Sequence, residues 1–162
     1  MDFKENILNI LEKAKNDIVA NIQEAGITAS GRTEKSLQVV ERDGHLLLIK
    51  SEGENAPFET LEVGRPAGKV PKGFNEIILE WIRVKGLSVT IVPYKTNRPH
   101  KYSEQERSER MLAGQIAYTI KEEGTERSRN NRDDIYSPIL DEAVKSISQI
   151  AVESVIKTIK DK

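Results

Sequence analysis

Each end of this chain carries apolar residues at three- and four-residue steps, a spacing that predicts a long amphipathic helix at either end. Near the start, Phe3, Ile7, Ile10, Leu11, Ala14, Ile18, Ile22 and Ala25 fall on one stripe, with lysines, glutamates and asparagines opposite. Gly26 marks the stop, because glycine adopts left-handed backbone angles without steric cost. Near the end, Ile139, Ala143, Ile147, Ile150, Ala151, Val155 and Ile159 repeat the pattern over Pro138 to Lys160. Pro138 suits the first turn, where its missing N–H would have no partner anyway.

The middle is shorter-ranged. Thr28 to Thr33 is turn-rich, and Thr33 is placed to cap a short helical turn through Leu37. Gln38–Glu41 and Leu46–Lys50 flank Arg42-Asp-Gly-His45, a hairpin signal, since a tight primed turn needs positive φ. The second strand is apolar at consecutive positions, so both of its faces are expected to be covered. Ala56 to Gly64 reads as helix or strand leading into the proline- and glycine-rich loop Arg65 to Gly73. Phe74 to Lys85 reads as helix, with Ile77, Ile78, Trp81 and Ile82 on one side and Gly86 as terminator. Leu87 to Val92 ends at Pro93 and reads as an edge strand. Ser103 and Glu106 have capping-box spacing for a helix through Met111, Leu112, Ile116, Ala117 and Ile120 to Gly124, and Arg127 to Asp134 reads as a charged loop. The expected fold is therefore α+β: long N- and C-terminal amphipathic helices around a small antiparallel sheet, with shorter helices between. A single domain, 1–162, is expected, with 94–110 as an extended loop insertion.

Composition excludes several chemistries. With no cysteine there is no disulfide, thiolate zinc site or cysteine nucleophile, and two histidines, His45 and His100, cannot make a histidine-rich metal site. A net charge of -1 argues against a protein that grips nucleic acid through its phosphates, although a local basic patch is compatible with it. No apolar run approaches the roughly 18 residues of a membrane span, and the N-terminus lacks a signal-peptide core, so a soluble protein made in a reducing cytoplasm is expected. Hydrophobic residues make up 37% of the chain, enough for a thin core that partners would extend.

No motif promises catalysis. Gly64-Arg-Pro-Ala-Gly-Lys69 lacks the spacing and the Ser/Thr of a phosphate loop, and its proline removes a donor. The acidic pairs Glu122-Glu123, Asp133-Asp134 and Asp141-Glu142 sit beside basic residues, as on solvated faces. His45 reads as an exposed turn residue and Trp81 as core. Arg98, His100 and Tyr102, with Pro99 and Lys101, form a basic-aromatic patch that could touch DNA or a neighbouring subunit, although a mobile loop ordered only by contacts is the first expectation. No cofactor is expected.

Five ordered segments together resemble the tail-completion, or head–tail joining, proteins of tailed phages. They are Ser30-Gly-Arg-Thr-Glu-Lys-Ser-Leu37; Ala56-Pro-Phe-Glu-Thr-Leu-Glu-Val-Gly-Arg65; Pro66-Ala-Gly-Lys-Val-Pro71 with Ile77 to Gly86; Ala117 to Thr125; and Ile135-Tyr-Ser-Pro-Ile-Leu140. The order spans most of the chain. Two departures stand out: Glu59 replaces a small residue after the Ala-Pro-aromatic, and Tyr94 to Arg110 is longer than the family pattern.

The resemblance implies a non-enzymatic α+β virion subunit, made in the host bacterial cytoplasm. It would form a homo-oligomeric ring, six- or twelve-fold, between portal or connector and tail proteins, with DNA passing through the channel unbound. The candidate oligomer and partner interface comprises Arg65, Pro66, Lys69, Pro71, Arg98, His100, Tyr102, Gly124 and Thr125. The alternative, a small DNA-binding or regulatory protein, would need a basic recognition helix, whereas lysine and arginine are spread diffusely. A small hydrolase would need a convergent site, and none is visible in the sequence.

Overall fold

The computed structural model describes residues 3–28, 31–50, 58–96 and 98–160. In chain order the elements are α1 (Phe3–Glu24), α2 (Arg32–Ser36), β1 (Leu37–Arg42), β2 (His45–Lys50), α3 (Phe58–Val63), α4 (Phe74–Lys85), α5 (Glu104–Glu123), α6 (Glu126–Arg129) and α7 (Ser137–Lys160). Among the described residues helices dominate, and strand is confined to the antiparallel pair β1–β2. This overturns the expected α+β architecture. A sheet that carries helices needs more than a two-stranded ribbon, which is marginal by itself. The third strand expected at Leu87–Val92 does not form. Instead the Val92 N–H donates to Ser108 Oγ at 2.9 Å, and its carbonyl accepts from Arg107 at 3.1 Å, so helix side chains take the bonds of a ladder.

The chain divides into two compact units, Met1–Val63 with Arg132–Lys162, and Gly64–Asn131. The first crossing, Val63–Gly64, has no polar linker to mark it, whereas the second falls within the charged stretch 127–134. In the first unit α1 packs against α7 and carries the hairpin. Ile18 and Ile22 are buried with Leu37 and Ile135, and Ile139 packs beside them, while Ile10 and Ala14 share a cleft with Ala143 and Ser146. Rising numbers on one helix meet falling numbers on the other, so the pair runs antiparallel. The hairpin turn has positive φ at Asp43 (51°) and Gly44 (77°), with Arg42 opposite His45, as Asp-Gly requires.

The start of α7 is held by a side chain distant in sequence. Glu62 on α3 is 2% exposed, and its carboxylate accepts from the N–H groups of Ile135 (3.1 Å), Tyr136 (2.8 Å) and Ser137 (3.0 Å). Pro138 follows and has no N–H to satisfy. One buried carboxylate thus answers the Ser137 N–H, which the helix leaves free, together with the N–H groups of the two residues before it.

In the second unit Ile78, Leu79 and Ile82 of α4 bury against Ala113 and Ala117 of α5, where the small residues let the helices approach. Trp81 is half-buried at the margin of this cluster rather than at its centre. Ser103 caps α5 by accepting from the Glu106 N–H at 3.1 Å, so the expected loop 94–110 ends at Ser103 and its second half is helix. Gly86 closes α4 in the left-handed region (φ 64°), with Leu87 N–H donating to the Ile82 carbonyl at 3.1 Å.

Smaller expectations are also corrected. The helix at Arg32 is preceded by Gly31 (φ 69°), not capped by Thr33, whose carbonyl instead accepts from Ser36 Oγ at 2.6 Å. Part of the charged 127–134 loop forms the last residues of α6. The expected covering of both faces of Leu46–Lys50, and the motif residues Ser30, Ala56 and Pro57, lie outside the described residues and side chains.

Candidate functional site

The candidate residues gather into two clusters, both within Gly64–Asn131. The first joins positions 60 residues apart in sequence. The Arg65 N–H donates to Thr125 Oγ1 at 2.8 Å, and the Thr125 N–H returns a bond to the Arg65 carbonyl at 2.9 Å. Gly68 N–H donates to the Lys121 carbonyl at 2.7 Å, so the loop satisfies a carbonyl that the last turn of α5 leaves free. Two glycines make this close approach possible. A Cβ on Gly64 (φ 72°) would lie 2.6 Å from the Ser128 nitrogen, and one on Gly124 (φ 78°) would lie 2.8 Å from the Arg65 carbonyl oxygen. Both have left-handed φ, so any side chain there would be strained as well as crowded.

On this scaffold the Arg65 guanidinium donates to the Lys69 carbonyl at 2.9 Å and lies 5.3 Å from the Phe74 ring centroid. The loop is thereby closed on itself, with Pro66, Lys69 and Pro71 exposed along it. The structure brings Arg65, Gly124 and Thr125 into direct contact and leaves Pro66, Lys69 and Pro71 as the presented edge. Phe74 and Lys121, which the sequence reading did not single out, complete the arrangement. In the sequence Gly64 stands at the head of the rejected phosphate-loop motif; its burial between Thr125 and Ser128 needs the fold to be seen.

The second cluster organises Tyr94 to Ser103. The rings of Tyr94 and His100 stack with centroids 3.4 Å apart and planes 3° from parallel, and Arg107 lies 4.8 Å from the Tyr94 centroid. Tyr94 Oη donates to the Tyr102 carbonyl at 2.9 Å, and the Tyr94 N–H donates to Glu104 Oε1 at 2.9 Å. Arg110 and Lys101 lie 4.5 and 5.0 Å from the Tyr102 ring centroid. His100 Nε2 meets the Thr96 carbonyl at 3.2 Å. Aromatic stacking and cation–π contacts of this kind each add on the order of 1 kcal/mol. His100 and Tyr102 therefore hold the loop, while Arg98 stands exposed beside Lys95 and Pro99. Arg107 and Arg110 were not foreseen; their three-residue spacing on α5, just after the aromatic loop, was the available signal.

Ion pairs lock the helices beneath these loops. Arg83 meets Glu109 at 2.8 Å, and Arg110 meets Glu76 at 2.7 Å and Glu106 at 3.1 Å. The Gln105 amide and then the Arg83 guanidinium hold the Glu109 carboxyl below the usual carboxylate range. The carboxylates of Glu76 and Glu106 push Arg110 further up, so it is permanently charged. Among the described residues, no three His, Cys, Asp or Glu side chains are grouped to hold a metal ion, and no helix is long and apolar enough to cross a membrane. Chemically, each cluster is a loop held by its own contacts with exposed cations on it, Lys69 in the first and Lys95, Arg98 and Lys101 in the second. No protein-family model matches the chain, and no curated protein or solved structure matches it.

Proposed function

We propose that this chain is a structural protein of a tailed-phage virion, a subunit of a homo-oligomeric ring at the head–tail junction. The carrying observation is the convergence of separate motif segments. Gly64-Arg65, Gly68 and Gly124-Thr125, drawn from three of the resembling stretches, come together through the two bonds between Arg65 and Thr125 and the bond from Gly68 N–H to the Lys121 carbonyl. A loop fixed in this way presents Pro66, Lys69 and Pro71 to a neighbour with little entropy left to lose. Apolar side chains left in solvent also favour association: Ile77 is 52% exposed, Val84 48% and Tyr118 65%. Portal or connector and tail proteins are the proposed partners, DNA passes through the channel without specific binding, and the chain is made in the host cytoplasm. Native mass and negative-stain imaging of the purified protein, alone and with the portal protein, test this. Rings, or assembly on the portal, are expected. A chain that forms no ring and ignores both portal and tail proteins would refute it.

One feature favours a second reading. Lys95, Arg98 and Lys101 stand exposed around the Tyr94–His100 stack, a pattern that suits single-stranded nucleic acid. Filter binding across a salt series separates the two, because phosphate contacts weaken steeply with salt. Tight, salt-sensitive DNA binding, lost on Tyr94→Ala, would favour this second reading over the ring.

A further inference from the structure

The net charge of -1 conceals a partition between the two units. Gly64–Asn131 carries thirteen lysines and arginines against eight glutamates, whereas the rest of the chain carries twelve basic residues against eighteen acidic ones. The excess of the basic unit sits in its two loops. Arg65 to Gly73 holds Arg65, Lys69 and Lys72, Tyr94 to Ser103 holds Lys95, Arg98 and Lys101, and neither holds a carboxylate. Outside these loops the unit has seven basic residues and eight acidic ones. Half of those glutamates, Glu76, Glu106, Glu109 and Glu123, are held by arginines of the same unit. Glu104, next to the second loop, accepts the Tyr94 N–H. A charge asymmetry of this kind points to a polyanionic partner for one half of a chain.

Both loops lie along one side of α5. The second is held at Arg110, which lies 4.5 Å from the Tyr102 ring centroid, and the first at Lys121, whose carbonyl accepts from Gly68 N–H at 2.7 Å. Eleven residues separate these two positions, which brings them to within about 20° of one line after three turns. Arg65 turns onto the Lys69 carbonyl and Phe74, and Lys69, Lys72, Lys95, Arg98 and Lys101 stand exposed.

We propose that these five cations hold the phosphate backbone of duplex DNA without reading its sequence. Four of the five are lysines, which protein interfaces deplete and which meet phosphate as mobile point charges. Stacking of a single strand is disfavoured, because the ring faces are taken by the chain itself. His100 fills one face of Tyr94 at 3.4 Å, so Arg107, over the same ring at 4.8 Å, covers the other. Tyr102 carries Arg110 and Lys101. The acidic remainder of the chain repels a polyanion and confines it to this unit. The proposed ring sends DNA through its channel but assigns no residue to it. This contact goes beyond the ring and is measured on the chain itself, so either can fail without the other.

Fluorescence anisotropy of a labelled mixed-sequence duplex, about three helical turns long, tests this over a potassium chloride series. Five phosphate contacts predict that log K falls with log salt at a slope of about −4. Two duplexes of unrelated sequence should bind alike. Lys69→Gln with Lys72→Gln, and Lys95→Gln with Lys101→Gln, should each lower the slope by about 2 and weaken low-salt binding about tenfold, with unchanged circular dichroism. Lys157→Gln with Lys160→Gln, in the acidic unit, should change neither. Absence of binding at low salt would overturn the proposal, as would a slope that both loop pairs leave unchanged. Tighter binding to a single strand of the same length, lost on Tyr94→Ala, would overturn it in favour of a stacked strand.

Discussion

Replacing Glu62 by alanine removes the acceptor of three backbone N–H groups at once. Two bonds go to Oε2, from Ile135 (3.1 Å) and Tyr136 (2.8 Å), and one goes to Oε1, from Ser137 (3.0 Å). Leaving a buried donor unsatisfied costs about 1–3 kcal/mol, and loss of a negative charge at a helix start adds about 0.3–1 kcal/mol. Two effects oppose this. Water can enter the space left by the side chain, and the desolvation of a carboxylate that is only 2% exposed is relieved. The balance is a loss of about 2–4 kcal/mol. Glu62→Gln separates charge from acceptor: one amide oxygen still serves Ile135 and Tyr136, while the NH₂ group opposes the Ser137 N–H. Its loss should be about 1–2 kcal/mol. Thermal melts followed by circular dichroism should thus rank wild type above glutamine above alanine. A unit of under a hundred residues loses roughly 4–8 °C per kcal/mol, so the alanine variant should melt at least roughly 8 °C lower. If both variants melted with the wild type, the carboxylate would not be what holds the start of α7.

The other predictions concern the Gly64–Asn131 unit. Gly64→Ala or Gly124→Ala forces a Cβ to within 3 Å of backbone at left-handed φ and should destabilise by about 2–4 kcal/mol, read from urea midpoints; a midpoint unchanged in both would dissolve the close approach of Arg65 and Thr125. Trp81→Ala should cost about 2–3 kcal/mol by chemical denaturation, below the range for a fully buried tryptophan, because Trp81 only flanks the Ile78–Ala117 cluster. The Glu109 carboxyl is held low in the folded state by Gln105 and Arg83, so its contribution to stability is present above the unfolded carboxylate pKa and is lost as pH falls through the lower folded value. Glu109→Gln should therefore flatten part of the acid limb of a stability–pH curve, and an unaltered limb would contradict the assignment.

The four longer helices and the hairpin turn were legible in the sequence because their signals are local. Gly26, Ser103 and Asp43-Gly44 act within a few residues, and the structure places each where that chemistry requires. The sheet was misjudged at Leu87–Val92, where an apolar run before a proline carries the same pattern whether a strand or a helix side chain takes its backbone bonds. Arg107 and Ser108 decide that, and they lie fifteen and sixteen residues away. Glu62 was invisible because Phe58-Glu-Thr-Leu-Glu-Val63 gives no sign that one of its two glutamates is buried. In the candidate site, order along the chain pointed to Arg65, Gly124 and Thr125, but only folding shows that they touch.

The first crossing between the units shows why these long-range groups matter more than the number of buried side chains. The chain passes between Val63 and Gly64, adjacent residues with no spacer. On one side Glu62 is bonded to the start of α7; on the other Gly64 and Arg65 are packed against Thr125 and Ser128. Each anchor acts within its own unit, and each depends on a single residue type, a carboxylate that can accept three bonds or a glycine with no Cβ. Among the described residues, the buried members of each core are mainly isoleucine and alanine. Hydrophobic burial on that scale leaves little surplus over chain entropy, so the polar and steric anchors at 62 and 64 carry a disproportionate share of specificity. Substitutions two residues apart should therefore loosen different parts of the chain, the amides of α7 for Glu62 and those of the α5–α6 junction for Gly64. That separation is what hydrogen exchange would resolve.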